Sequence, residues 1–197
     1  MQKLRTDLME GFYHEMGHVL AALHYFPNED RIEGITFTKN PNGSFGFNTT
    51  FNSNKWPIHG NKEALIMCCI GGGIFQQMKM LYGKLKKHSL FNILSYIRLH
   101  YGLRKYLIGH TRCPYEGMEK DMVLLNQEYR KRLQCGEVSG SLNLEEEKEK
   151  AIDLFMPYLE NKKVDKLCEY IVNKILERRN SCNTIIGINE IRAFMEM

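Results

Sequence analysis

None of the 6 cysteines forms a Cys-x-x-Cys pair, and two of them, Cys68 and Cys69, are adjacent. That argues against a zinc ribbon or a redox dithiol and leaves reduced, mostly core-packing thiols of a cytoplasmic compartment. No basic-then-apolar leader opens the chain, so nothing marks it for export. The longest nearly apolar run, Leu65 to Phe75, includes Gly71, Gly72 and Gly73 and falls short of the ~20 residues a membrane span needs. No G-x-x-x-x-G-K-[S/T] loop occurs, which excludes ATP hydrolysis by that machinery. Acid is missing from one long stretch. Between Ala64 and Tyr115 there is no Asp or Glu, while Lys79, Lys84, Lys86, Lys87, Arg98, Arg104, Lys105 and Arg112 are basic. A formal net charge of +4 is too small to imply a polyanionic partner. The plain reading of the basic stretch is a solvated face of helices; the other is a surface that attracts acidic partners at range.

What is present is a globular composition. The 197 residues are 43% hydrophobic and 25% charged, which fits a single domain with a sizeable core. Residues 1–197 therefore read as one domain, with 1–135 as the region of the candidate site and 142–197 as a helical C-terminal region. Asp7 and Glu10 resemble a capping box ahead of the periodic set Phe12, Met16, Val19, Leu20 and Leu23, so a helix is expected that ends near Pro27. From Arg31 to Phe51 the period changes to alternation around Asn40-Pro41-Asn42-Gly43, the pattern of a small β-hairpin. Helical spacing returns over 61–82, interrupted by Gly71 to Gly73, and again over 92–105, 119–133, 145–156, 163–178 and 189–195. A loop with Gly136, Ser139, Gly140 and Ser141 is expected before the last third. The expected fold class is mainly α (α+β), with one small β-hairpin or sheet.

The segment that carries chemistry is His14-Glu15-Met16-Gly17-His18. Imidazoles at i and i+4 lie one above the other on a helix face, close enough to share a tetrahedral Zn²⁺. Glu15 projects beside that face, where a carboxylate can take the proton of an attacking water and deliver it to a leaving amine. A zinc ion supplies the missing ingredient, because it brings the pKa of a bound water towards ~7.

Two histidines leave the site one protein ligand short. His24 stands where H-E-x-x-H-x-x-G-x-x-H enzymes place a third histidine, but the bend glycine is replaced by Ala21 in a helix-favouring run. In a continuing helix His24 points roughly 240° away from His18, at about 100° per residue. The alternative is a carboxylate from the later helix opened by Gly117-Met118-Glu119-Lys120-Asp121, which offers Glu119 and Asp121. Gly71 to Gly73 lack the Lys-Ser/Thr of a phosphate loop and instead suit a close approach between their helix and the motif helix. Tyr13, beside the first histidine, is expected to pack rather than to polarise a substrate carbonyl. The strand from Gly43 to Phe51 has two open readings: an ordinary half-buried hairpin strand, or an edge that accepts an extended peptide by strand addition.

In order, the H-E-M-G-H helix, the hairpin, the helix with Ile70-Gly71-Gly72-Gly73 and the Gly117-x-x-x-Asp121 helix start resemble the peptidase domain of the FtsH-like ATP-dependent zinc metallopeptidases. The similarity extends loosely to Leu159-Glu160-Asn161-Lys162 and to Ile185-Ile186-Gly187-Ile188-Asn189-Glu190-Ile191. It implies a zincin-like helical metallopeptidase domain with His14, His18 and Asp121 as zinc ligands and Glu15 as general base. The chain departs from that family at three points. The family's G-G-R-A-A-E-E is here Gly71-Gly72-Gly73-Ile74-Phe75-Gln76-Gln77, which leaves any supporting role of the two carboxylates open without touching the zinc triad. The basic stretch from Lys79 to Tyr115 is longer than its counterpart. His14 stands close to the first residue, so the nucleotide-binding module and membrane anchor are expected to be absent.

The expectation is a zinc-dependent metalloendopeptidase acting on a peptide or unfolded protein, alone, as a homo-oligomer or with a separate ATPase. A different class also fits: a non-catalytic, zinc-stabilised binding module using the basic 79–112 surface for a protein partner. A third reading, the least favoured, is nucleic-acid binding through Lys84, Lys86, Lys87, Arg104 and Lys105, with Tyr82, Phe91, Tyr101 and Tyr106 interleaved.

Overall fold

The computed structural model describes residues 2–28, 31–39, 45–55, 61–84, 118–138, 142–177 and 183–196. Within these the protein is mainly helical, with a small three-stranded antiparallel sheet. The expected helix over 92–105, the turn at Asn40 to Gly43 and the loop residues Ser139 to Ser141 lie outside the described residues.

The first helix, α1 (Gln2–Tyr25), starts ahead of the expected capping box, so Asp7 and Glu10 sit within it rather than at its start. The apolar periodicity continues back to Leu4 and Leu8, and that buried face outweighs the local cap signal. The helix ends as expected before Pro27, its last turn closed by the Phe26 N–H on the Ala22 carbonyl at 2.9 Å. Strands β1 (Ile32–Lys39) and β2 (Phe45–Phe51) pair antiparallel, with Ile35 opposite Thr49 and Phe37 opposite Phe47.

The second helix, α2 (Lys62–Lys84), is capped by Asn61, whose side-chain oxygen accepts the Ala64 N–H at 2.9 Å. It runs unbroken through Gly71 to Gly73, where the sequence suggested an interruption. Glycine costs about 1 kcal/mol per position in a helix interior, and here the cost is offset by packing: Cys68, Ile70, Ile74, Phe75 and Met78 are all buried. From Lys62 to Tyr82 this helix is long and apolar enough to cross a membrane, further than the run from Leu65 to Phe75 implied, yet 78% of that window is buried inside the protein. Its companions there are α1, α3 (Met118–Gln134) and α4 (Leu144–Leu159). The third helix ends in a left-handed Gly136 (φ 73°), with the Gly136 N–H on the Leu133 carbonyl and the Glu137 N–H on the Arg132 carbonyl, a Schellman closure.

Helix α5 (Lys162–Glu177) is capped by Asn161 through the Lys163 N–H at 2.8 Å and buries Val164, Leu167, Ile171 and Val172. Strand β3 (Asn183–Gly187) then pairs with β1, and α6 (Ile188–Glu196) follows without a break. The sheet order is β2-β1-β3. This third strand was not anticipated; its run is too short and too close to a helical pattern to show a period of two. The order places β1 in the middle and leaves β2 on an edge, packed beside α1.

Candidate metal centre

The site forms where α1 and α2 cross. His14 on α1 meets Gln76 on α2, while His18 meets Cys68, so the two helices run antiparallel. Their backbones come unusually close: a Cβ on Gly17 would sit 2.7 Å from the Gly71 carbonyl carbon and 2.8 Å from the Gly72 Cα. Glycine at both positions lets the crossing form, as the sequence suggested for Gly71 to Gly73.

This crossing orients the two imidazoles. His18 Nδ1 donates to the Cys68 carbonyl at 2.6 Å, and His14 Nδ1 donates to Gln76 Oε1 at 3.1 Å. Both Nε2 atoms are therefore bare acceptors, and they face each other at 3.2 Å. The third acceptor is Asp121 Oδ2, which lies 3.0 Å from His14 Nε2 and 3.5 Å from His18 Nε2. Asp121 sits in the first turn of α3, where the helix dipole favours a carboxylate.

Three acceptor atoms converging in a buried place need a cation between them. With no metal, that cation is a proton. Burial disfavours a charged His18, but the Asp121 carboxylate beside it prevails, and its pKa is pushed up to about 9. Burial also works against an ionised Asp121, yet His18 and His14 hold its pKa well below the usual carboxylate range. A metal fits the same place. Ligand atoms 2.0–2.1 Å from a tetrahedral zinc lie about 3.3 Å apart, and the three separations here are 3.0, 3.2 and 3.5 Å. Gly72 keeps the space open: a Cβ there would run into His18 Nε2 and lie 2.9 Å from His14 Nε2. Among the described residues this is also the one group of His, Cys, Asp and Glu side chains close enough to hold an ion.

Glu15 is buried beside the histidines and lines the same cavity, about 410 Å³, which Phe47, Thr49, Phe51, Cys69 and Leu124 also line. Its Oε2 accepts the Thr49 backbone N–H at 2.6 Å and the Thr49 hydroxyl at 2.8 Å. Because that N–H goes to Glu15, it does not go to β1. The Ile35–Thr49 pair is thus a non-hydrogen-bonded one, and by the antiparallel alternation the main-chain groups of Phe47 also face the open side of β2.

The structure thus brings together His14, Glu15, His18 and Asp121. Glu119, the other carboxylate offered by α3, is exposed at the cavity rim. His24 is exposed at the end of α1, packed edge-on against Tyr25 with ring centroids 4.9 Å apart, and takes no part in the cluster. Gly117 lies outside the described residues.

Tyr13 points away from the cavity, as packing predicted: its hydroxyl donates to Asp165 Oδ1 at 2.9 Å, and burial raises its pKa far above the usual phenol value. Lys79 does not belong to a basic surface. It is buried, and its Nζ donates to the Leu159 carbonyl at 3.0 Å and pairs with Asp165 Oδ1 at 2.6 Å. A long apolar stem inside the core with its head on two oxygens is a stable arrangement that a charge count cannot foresee. The Lys84 side chain and the residues from Lys86 to Arg112 lie outside the described residues.

The sequence reading missed the supporting groups on α2 and β2. Cys68, Gly72 and Gln76 recur at i, i+4 and i+8, one stripe of α2, and each serves the histidines. Gln76 is one of the two amides that stand where the FtsH-like pattern has acids; its amide oxygen still accepts the His14 N–H. Thr49 gave no signal beyond being polar in an aromatic strand. Comparison with known protein families, with curated proteins and with solved structures finds no match to this chain.

Proposed function

We propose that this protein is a zinc-dependent metallopeptidase that cleaves peptide bonds, as its resemblance to the FtsH-like peptidases implies. One observation carries the reading: three metal-ligand atoms 3.0–3.5 Å apart around the Gly72 gap, with the Glu15 carboxylate beside them in an open cavity. His14, His18 and Asp121 would hold the ion. Zinc, when bound, supplies a Lewis acid that makes hydroxide available near neutral pH and offsets charge developing on the scissile carbonyl oxygen.

The chain's own groups do the rest. Glu15 takes the proton of the attacking water and passes it to the departing amine, so its carboxylate ends the cycle as it began. Cys68 and Gln76 fix the tautomers of the two histidines. The edge of β2 borders the cavity, and the outward-facing main chain at Phe47 favours an extended peptide added as a further strand. The substrate class that fits is a peptide or an unfolded segment, whose main chain is free to extend along the edge and into the cavity.

The test is hydrolysis of a fluorogenic unfolded polypeptide by the zinc-loaded protein. Glu15→Gln is expected to lower the rate by about 100-fold or more, with zinc content per chain unchanged. Full activity in Glu15→Gln contradicts the mechanism.

A further inference from the structure

Building on that peptidase reading, we infer that Thr49 is a positioning residue for Glu15, and that the strand beside which substrate lies also holds the base. The two oxygens of the Glu15 carboxylate are held differently. Oε2 takes both a main-chain and a side-chain hydrogen bond from the same residue, at 2.6 and 2.8 Å. Both of these bonds fall on Oε2, and the carboxylate lines the cavity. One oxygen is fixed and the other is left for the water.

Two bonds from one residue define a direction as well as a distance. A glutamate side chain carries three rotatable bonds and loses rotamer freedom when it is held still. A base that must reach a proton at hydrogen-bond distance gains when that cost is met before substrate arrives. Thr49 meets it from a rigid element, since β2 is paired along its length with β1. The residue is itself buried, and its hydroxyl also lies 3.2 Å from the Glu15 carbonyl oxygen, so both of its donors face the same glutamate.

The separation of roles is testable because the main-chain donor survives substitution while the hydroxyl does not. Thr49→Val keeps the side-chain shape and the N–H; Thr49→Ser keeps the hydroxyl. In the zinc-loaded protein, Thr49→Val is expected to lower kcat about tenfold with KM within about twofold. Thr49→Ser is expected to restore most of kcat, and zinc per chain is expected to be the same in all three proteins. A merely structural role for Thr49 would move melting temperature or zinc content instead. If Thr49→Val keeps kcat within about twofold while Glu15→Gln abolishes it, Thr49 does not position the base and the peptidase reading stands.

A second measurement does not depend on activity. In the ¹⁵N-labelled, metal-free chain the residue 49 amide proton should resonate at low field, bonded to a carboxylate, and move upfield in Glu15→Gln. If the zinc-loaded protein cleaves nothing, the peptidase reading fails, and this resonance decides the tie on its own. A shift on substitution upholds it, and an unmoved resonance overturns it.

Discussion

Two polar clusters flank α1 at neighbouring residues, and they are built on opposite principles. At Tyr13 the charges close: the Lys79 ammonium lies between the Asp165 carboxylate and the Leu159 carbonyl, and the tyrosine hydroxyl donates to the same carboxylate. At His14 they do not close. Two imidazole nitrogens and a carboxylate oxygen converge with a single proton among them, and the backbone opposite them carries no side chain. The first cluster brings an ammonium and a hydroxyl to one carboxylate oxygen and ties α5 to α1 and α2. The second has a place for a cation and opens to a cavity.

The sharpest way to separate the two is pH. The raised His18 value of about 9 means that the metal-free fold draws stability from the His18–Asp121 pair below about pH 6.5, and loses it as pH rises through 9. Asp121, held low, contributes above the ordinary carboxylate range and loses its contribution as pH falls into acid. Zinc must displace the proton on His18. Zinc affinity measured against a chelator should therefore rise about tenfold per pH unit, or about 100-fold from about pH 6.5 to 8.5. A flat profile would mean that the site is not proton-filled when empty.

A smaller effect comes from filling the gap. Gly72→Ala puts a methyl group against both Nε2 atoms, an overpacking cost of about 2 kcal/mol that should appear as roughly thirtyfold weaker zinc binding. Unfolding of the metal-free protein should change less, because the histidines can turn aside once no ion holds them.

The converse break is at the closed cluster. Asp165→Ala leaves the buried Lys79 with the Leu159 carbonyl and the face of the Tyr13 ring, 5.5 Å from its centroid. Breaking a fully buried pair costs about 3–5 kcal/mol, but Asp165 is 43% exposed and its charge is already screened, so about 1.5 kcal/mol is expected. Denaturant unfolding checks the loss, and zinc affinity should stay unchanged. If zinc binding falls as well, the two clusters are coupled through α1 and the contrast between them fails.

The helical half of this site could be read from the sequence, and its other half could not. Two histidines at i and i+4 declare a shared face without any tertiary information. The Gly-x-x-x-Asp helix start added a candidate third ligand by resemblance. The stripe of Cys68, Gly72 and Gln76 becomes meaningful only once α2 is known to cross α1 antiparallel at Gly17 and Gly71. Thr49 depends on which strand forms the sheet edge, and that order was set by β3, a segment far along the chain. The fold followed the same division. Long amphipathic helices were legible to within a few residues, while the glycine triplet and the capping signal misled because packing overrode local preference. Lys79 shows the limit for charge: its sign was visible, but the two oxygens that bury it were not.

The most direct test of the central claim is zinc content per chain by elemental analysis, for the native protein and for Asp121→Ala and His24→Ala. The account predicts about one zinc per chain in the native protein and in His24→Ala, and none in Asp121→Ala. No zinc in the native protein after incubation with the metal, or full retention in Asp121→Ala, would contradict it.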